Sequence, residues 1–114
     1  MAPDLNILSD PTRRAILALL ATEPELCVCE VEAALDQVQP VVSRHFALLR
    51  DGGWVVGRRE GRRIYYRVSR LPDWARLIVR AYADGGVPKA DLQAALARLA
   101  RFEGRPSRLT RSAP

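Results

Sequence analysis

The chain has 114 residues, of which 48% are hydrophobic and 27% are charged, and this composition excludes a wholly disordered protein and favours a single globular domain. Its 18 Lys and Arg residues against 13 Asp and Glu give a formal net charge of +5, and Lys89 is the one lysine. An arginine-rich positive balance favours a phosphate-bearing partner such as nucleic acid, although charge alone does not establish one. No window approaches the ~18 consecutive apolar residues that span a bilayer, and no signal peptide opens the chain, so we predict a cytoplasmic protein with no membrane partner.

Helical periodicity in the first half of the chain predicts three helices. The first spans about 11–21, with Asp10 placed to cap it and a proline in its first position, where proline is favoured. The second spans about 28–35, and Asp36-Gln37 predict a turn before the third, at about 39–50. A short helix, a tight turn and a second helix with its own apolar stripe predict a helix-turn-helix.

The hydrophobic period changes to that of β-strands between residues 54 and 68. Ile64, Tyr66 and Val68 alternate with arginine and tyrosine, which is typical of a strand with one buried face. Glu60-Gly61 predicts a hairpin turn between this strand and the β-rich run before it. The pattern predicts a two-stranded wing.

Helical spacing returns after the wing. One helix is predicted to open near Pro72 and to close at Gly85-Gly86, and a last helix is predicted at about 89–102. The predicted fold class is therefore mainly α with a β-hairpin wing, that is, a winged helix-turn-helix. We predict one domain at residues 1–103, and a polar, basic and disordered tail at 104–114.

One face of the third predicted helix carries side chains suited to reading DNA. Val42, Phe46 and Leu49 recur at core spacing, which leaves four residues for the opposite side: Gln39, Ser43, Arg44 and Ala47. Arginine can fork onto guanine, glutamine can bond to adenine or phosphate, and serine can bond to either base. For an isolated helix the same face could simply be solvated.

Four arginines cluster around the predicted hairpin turn. They are Arg58, Arg59, Arg62 and Arg63. A structural role does not need this density of charge, whereas a wing that reaches phosphates or the adjacent minor groove does. The cluster favours the DNA-binding interpretation and predicts that binding weakens steeply with salt.

Cys27 and Cys29 are the only thiols of the chain and lie where the second helix begins. In a reducing compartment such a close pair favours metal binding or redox chemistry over a structural disulfide. Residues i and i+2 of a regular helix lie about 200° apart around the axis. Both sulfurs can therefore hold one ion only if the first turn unwinds or stays non-helical.

Three other polar residues near the thiols have simpler predicted roles. His45, the one histidine, is predicted to pack between helices or to contact a phosphate, because no second histidine or acidic cluster accompanies it. Glu30 and Glu32 are predicted to act on the helix dipole rather than to bind a metal.

Three segments of the chain match the pattern of a known family. They are Glu25-Leu26-Cys27-Val28-Cys29-Glu30; Ala34-Leu35-Asp36-Gln37-Val38-Gln39-Pro40-Val41-Val42-Ser43-Arg44-His45; and Leu48-Leu49-Arg50 with Gly53, after which Gly61-Arg62 leads to Tyr66-Arg67. With these segments the chain resembles an arsenic-responsive repressor of the ArsR family. The resemblance runs from about residue 8 to residue 83.

The resemblance implies a homodimeric winged helix-turn-helix repressor rather than an enzyme. Such a protein binds an operator upstream of arsenic-resistance genes, and the operator is an inverted repeat in double-stranded DNA. The repressor dissociates from the operator when it binds As(III) or Sb(III). For this chain the resemblance assigns Cys27 and Cys29 to the inducer site and requires no cofactor. It also implies dimer contacts at about 5–8 and 72–83.

The thiol site departs from the family pattern at one position. Relatives commonly carry Cys-Val-Cys-Asp-Leu-Cys, and Glu32 stands where the third cysteine would be, so one subunit supplies two thiolates. Inorganic As(III) has three valences, which leaves one for hydroxide or a small cellular thiol. A monomethylated As(III) has only two further valences, and two thiolates fill them. Methylated As(III) is therefore an alternative inducer.

Two other interpretations involve different chemistry. The same fold could sense Cd(II), Pb(II) or thiol oxidation, whereas Zn(II) is disfavoured for want of four nitrogen or sulfur ligands, and a Cys-Val-Cys disulfide would close a strained ring. A thiol-disulfide enzyme is disfavoured because the pair lacks the two intervening residues of the usual redox motif and no strand is predicted before it.

Overall fold

The computed structural model describes residues 2–106, in which five α-helices pack with one small antiparallel sheet. The helices are α1 Pro11–Thr22, α2 Val28–Leu35, α3 Gln39–Asp51, α4 Asp73–Ala81 and α5 Lys89–Arg101. The strands are β1 Leu26–Cys27, β2 Val55–Glu60 and β3 Arg63–Val68. A 3-10 helix, Leu5–Ser9, precedes α1, and an irregular helical turn, Tyr82–Gly86, follows α4. The prediction of a mainly α fold with a β-hairpin wing is confirmed.

The predicted start of α1 is confirmed in atomic detail. Asp10 Oδ1 accepts hydrogen bonds from the backbone N–H groups of Thr12, at 2.7 Å, and Arg13, at 3.2 Å, while proline takes the first helical position. The side chain thus satisfies two N–H groups that the helix leaves without partners. Residues 16–20 of α1 are buried and form the centre of the core.

The helix-turn-helix also lies where the sequence predicts it. Asp36 adopts a left-handed conformation, with φ at 52°, and so ends α2 and turns the chain toward α3. The inner faces of the two helices are fully buried by Val31, Val42, Phe46 and Leu49. This packing fixes the outer face of α3 relative to the rest of the domain.

The hairpin turn of the wing is one residue later than predicted. Glu60 pairs with Arg63 in the last register position of the two strands, so the two turn residues are Gly61 and Arg62 rather than Glu60-Gly61. Gly61 has a φ of 62°, a left-handed conformation that a glycine adopts without a steric cost. The shift moves Arg62 from the second strand to the tip of the wing.

A third strand that the sequence did not predict completes the sheet. β1 pairs antiparallel with β3, with Leu26 opposite Tyr66 and Cys27 opposite Tyr65, so that the strand order is β1-β3-β2. A strand therefore does precede the second helix, contrary to the prediction. Two residues are too few for a periodic pattern, which is why the sequence gives no signal for it.

The helices after the wing are confirmed, but α4 leaves two large apolar side chains uncovered. Its buried residues are Ala75 and Val79, whereas Trp74 is 42% exposed and Leu77 is 69% exposed. The last helix, α5, packs against α2, and no helix in the described part of the chain is long and apolar enough to cross a membrane.

The predicted disordered tail falls mostly on residues 107–114, which lie outside the described residues. Gly104 to Pro106 are described, and Arg105 among them bonds to residues of the folded domain. The folded domain therefore includes at least one residue of the segment that was predicted to be tail.

Candidate functional site

The two cysteines lie side by side at the junction of β1 and α2. Cys27 is the residue before the helix and is extended, with φ at −86° and ψ at 168°, whereas Cys29 lies in the first helical turn. Their Cα atoms are 5.5 Å apart, and their Sγ atoms are in direct contact and joined as a disulfide. The sequence predicts that both sulfurs can reach one ion if the first helical turn unwinds or if the chain there is non-helical. The structure has the non-helical chain, at Cys27, so no helical turn needs to unwind.

The carboxylate of Glu30 holds the backbone of this junction in place. Glu30 is fully buried, and its Oε1 accepts a hydrogen bond of 2.9 Å from the backbone N–H of Cys27. This is the return bond of a capping box, in which a side chain three residues into a helix bonds to the residue that caps it. Glu30 thus bonds to the backbone at the start of the helix, whereas the sequence predicts only a favourable charge on the helix dipole.

The other oxygen of Glu30 bonds to the end of the described chain. Arg105 Nε donates to Glu30 Oε2 at 2.6 Å, and Arg105 Nη2 lies 3.0 Å from Glu23 Oε1. Burial acts against the charge of Arg105, but the hydrogen bonds and charges of Glu30 and Glu23 outweigh it, so the pKa of Arg105 is raised. Sequence reasoning missed this pair because 75 residues separate the partners.

Replacing Arg105 with alanine should destabilise the protein and loosen the start of α2. The buried carboxylate of Glu30 would lose its ion pair with Arg105, and removing a hydrogen bond from a buried charged acceptor costs about 1–3 kcal/mol. We expect a loss of that size in the free energy of unfolding, measured in urea. Arg101→Ala, at an exposed position of α5, is the matched control, and equal effects of the two substitutions would contradict the role of Arg105.

A cavity of about 440 Å³ opens beside the two cysteines. One wall is the start of α2 with both cysteines and Glu32, and a second wall is the flank of α3 with Gln39 and Ser43. The wing supplies the rest, with Arg62 and Arg63 near its tip and an apolar side made by Ile64 and Tyr66. We call this space the thiol cleft.

The thiol cleft unites the predicted inducer residues with four of the eight predicted DNA-contacting residues. Gln39 Nε2 donates a hydrogen bond of 2.7 Å to Ser43 Oγ, so these two side chains form one polar unit on the cleft wall. The other predicted residues of α3 lie elsewhere: Arg44 is exposed and Ala47 is half-buried. Arg59, on the wing, is also exposed.

Arg58, which is predicted to contact DNA, also forms ion pairs within the folded domain. Its Nε donates to Glu25 Oε2 at 2.9 Å, its Nη1 donates to Glu60 Oε1 at 2.7 Å, and the guanidinium lies 4.8 Å from the centre of the Tyr65 ring. The hydrogen bonds to Glu25 and Glu60 raise the pKa of Arg58. Glu25 is only 4% exposed, so this arginine neutralises a buried carboxylate and does have the structural role that the sequence argument denied it.

His45 packs between two helices, which is one of its two predicted roles. Its Nδ1 lies 3.2 Å from Arg13 Nη1 of α1. Burial lowers the pKa of His45, and the cations of Arg13 and Arg44 add to this while Asp10 opposes it. Within residues 2–106 no group of three or more His, Cys, Asp or Glu side chains is placed to hold a metal ion.

A helix-turn-helix followed by a hairpin wing is the architecture of winged-helix DNA-binding proteins, and the arginine-rich wing tip and polar flank of α3 agree with that class. Residues 10–55 match the family profile described as "Bacterial regulatory protein, arsR family". The chain belongs to the ArsR family.

Individual relatives agree with this assignment. The chain is 49% identical over 75 residues to the "Arsenical resistance operon repressor" of Escherichia coli K12, a match that covers 65% of this chain and 64% of that protein. It is 39% identical over 88 residues to the "Biofilm growth-associated repressor" of Agrobacterium fabrum, covering 77% of this chain and 74% of that protein. The chain thus spans a little under two thirds of the length of the E. coli repressor.

A solved structure confirms the fold. The transcriptional repressor BigR from Xylella fastidiosa superposes with a TM-score of 0.62 at 29% sequence identity, and the match covers 75% of this chain and 82% of that one.

Proposed function

We propose that the protein is a DNA-binding transcriptional repressor of arsenic-resistance genes, and that As(III) or Sb(III) bound by Cys27 and Cys29 releases it from its operator. The observation that carries the proposal is the thiol cleft, in which both sulfurs share one cavity with Gln39, Ser43 and two wing arginines. The name of the E. coli relative supports arsenic as the signal. Trivalent arsenic and antimony are thiophilic, and a pair of adjacent thiolates suits them.

In this proposal α3 lies in the major groove and the wing lies along the backbone. Arg44 and Ala47 on the outer side of α3 meet base edges, with Gln39 and Ser43 contributing from the cleft side. Arg59, Arg62 and Arg63 meet phosphates, which positions the protein and makes its affinity depend on salt.

The proposed repressor acts as a homodimer on an inverted repeat. Leu5 is 56% exposed, and with Trp74 and Leu77 it leaves apolar side chains uncovered on the two segments that the family resemblance assigns to the dimer contact. A two-fold dimer would place two copies of α3 in successive major grooves, about 34 Å apart.

Inducer and DNA are coupled in this proposal because the side chains that bind them line the same cleft. An ion held by both sulfurs lies next to the Gln39–Ser43 pair and the wing tip. A ligand that shifts either wall of the cleft changes how α3 and the wing meet DNA together. Such a coupling is an equilibrium between two binding events and is typically worth about 1–3 kcal/mol.

Thiol oxidation is a second candidate signal for the same regulator. It is favoured by one observation, the direct contact of the two sulfur atoms as a disulfide. A reagent that only oxidises thiols would then release the operator without any metal.

Titrating release of the chain's own upstream DNA tests the proposal and separates the signals. Fluorescence anisotropy of labelled operator would be followed against arsenite, antimonite, methylated As(III), cadmium and peroxide, with the protein reduced at the start. We expect specific binding that arsenite and antimonite reverse. Release by cadmium or peroxide alone would replace arsenic as the signal, and a lack of specific DNA binding would overturn the proposed function.

The two neighbouring wing arginines make a matched pair for mutation. Arg59→Ala should leave stability unchanged and reduce the slope of log affinity against log salt by about 1.8, because the homodimer loses one neutralised phosphate, worth about 0.9, in each subunit. Arg58→Ala should instead lower the midpoint of urea unfolding, because the buried carboxylate of Glu25 would lose its ion pair with Arg58. If Arg58→Ala keeps its stability and loses the salt slope, then Arg58 contacts DNA.

A further inference from the structure

We propose that the thiol cleft binds a small anionic thiol, whose sulfur completes the coordination of As(III) and whose carboxylates are held by Arg62 and Arg63. The inference rests on the proposed function and names the third ligand of that site. It concerns the reduced protein: two molecules of the small thiol open the Cys27–Cys29 disulfide and leave as their own disulfide, and Cys27 and Cys29 each gain one proton.

In the proposed step one sulfur comes from outside the subunit, and it replaces the hydroxide that two protein thiols would leave on arsenic. Arsenite enters as As(OH)3, and each As–O bond that breaks is replaced by an As–S bond. Two protein thiols and one external thiol lose their protons to the three departing hydroxides, so three waters leave. Arsenic stays trivalent and no electrons are transferred.

The cleft has room for more than the ion. A volume of about 440 Å³ lies within the range of cavities that hold small organic ligands, and one arsenic atom would fill only a small part of it. Ile64 and Tyr66 give the cleft an apolar side along which an aliphatic chain can lie. A hydroxide as third ligand would leave this space to water.

The charge of the cleft favours an anion. Arg62 and Arg63 are exposed on its wing side, and neither forms an ion pair with another described residue, unlike Arg58 nearby. Glu32 on the opposite wall is the one acid of the lining, so the charged side chains sum to +1. Arginine matches carboxylates with two parallel N–H donors, which favours an anionic ligand over a neutral one.

The chain's own candidates for the third position are poorer. Ser43 Oγ is a neutral hydroxyl already engaged with Gln39, and Glu32 offers a hard carboxylate oxygen to a soft ion that prefers sulfur.

Equilibrium dialysis of the reduced protein without DNA tests the inference. Bound arsenic is counted by elemental analysis at equal concentrations of glutathione, which carries two carboxylates, or 2-mercaptoethanol, which is neutral. Every thiol also competes for free arsenite, so each comparison is between the unaltered protein and the Arg62→Gln/Arg63→Gln variant in the same thiol. Arg67→Gln, a wing arginine outside the cleft, is the control, and native mass spectrometry reports whether glutathione stays on the complex.

We expect the double variant to bind arsenite about ten-fold more weakly than the unaltered protein in glutathione, as for the loss of two solvent-exposed ion pairs, and equally well in 2-mercaptoethanol. A bound glutathione should appear in the mass of the unaltered protein. Equal losses in both thiols, or no glutathione in the complex, would overturn the inference and leave the proposed function standing. If arsenite fails to bind in either thiol, both fail.

Discussion

Replacing Cys27 or Cys29 with serine should abolish the release of operator DNA by arsenite while leaving operator affinity in the absence of arsenite unchanged. Each substitution removes one of two thiolates from the site, and a hydroxyl does not replace a thiolate for a soft ion. Neither sulfur is predicted to meet DNA, so the repressor should stay on its operator at arsenite concentrations that fully release the unaltered protein. Fluorescence anisotropy of labelled operator measures both quantities.

The two variants also control for each other. Cys27 is 2% exposed and Cys29 is half-buried, so Cys29→Ser is the milder change to packing and should keep its stability in urea. If both variants release the operator at the usual arsenite concentration, the inducer binds elsewhere.

Phe46→Ala should cost about 3–5 kcal/mol of unfolding free energy, the usual range for removing a buried aromatic side chain. Phe46 is fully buried in α3 and stacks on Tyr66 of β3, with ring centres 4.2 Å apart and planes 7° from parallel. The stack joins the predicted recognition helix to the wing strand that lines the thiol cleft. Phe46→Ala should therefore weaken DNA binding as well as lower the free energy of unfolding.

Two comparisons make the Phe46 result interpretable. Phe102→Ala changes the only other phenylalanine of the chain, which is half-buried near the end of α5, and should cost clearly less. Phe46→Leu keeps apolar volume and should cost less than about 1.5 kcal/mol. A loss below about 1 kcal/mol for Phe46→Ala would contradict the packing described for α3.

The helices could be predicted from the sequence because their signals are local. Asp10 and the proline after it mark the start of α1, and the apolar spacing of α3 marks the face that the structure buries. The wing could be predicted for the same reason, because apolar and polar residues alternate along its second strand. Its hairpin turn lies one residue later in the structure than the sequence predicts. The choice between Glu60-Gly61 and Gly61-Arg62 depends on the pairing of Glu60 with Arg63, which the sequence alone does not show.

Both cysteines and four of the eight predicted DNA-contacting residues line the thiol cleft, but the geometry that brings them together could not be predicted. The position of Cys27 outside the helix depends on β1, and β1 exists because Leu26 and Cys27 pair with a strand about 40 residues later. Separation along the chain also hides two ion pairs from the sequence pattern. Arg58 and Glu25 are 33 residues apart, and Arg105 and Glu30 are 75 residues apart. Sequence periodicity identifies exposed charge, but it does not show which arginine a buried carboxylate will bind.

We propose that inducer and DNA compete through one cleft. The decisive experiment measures the affinity of the reduced protein for arsenite with and without saturating operator DNA. Linkage requires that DNA weaken arsenite binding by the same factor by which arsenite weakens DNA binding. Equilibrium dialysis should give an arsenite affinity about ten-fold or more lower on the operator, within the usual range for coupled sites. Equal arsenite affinity in the two states would contradict the coupling, whatever the protein does on DNA alone.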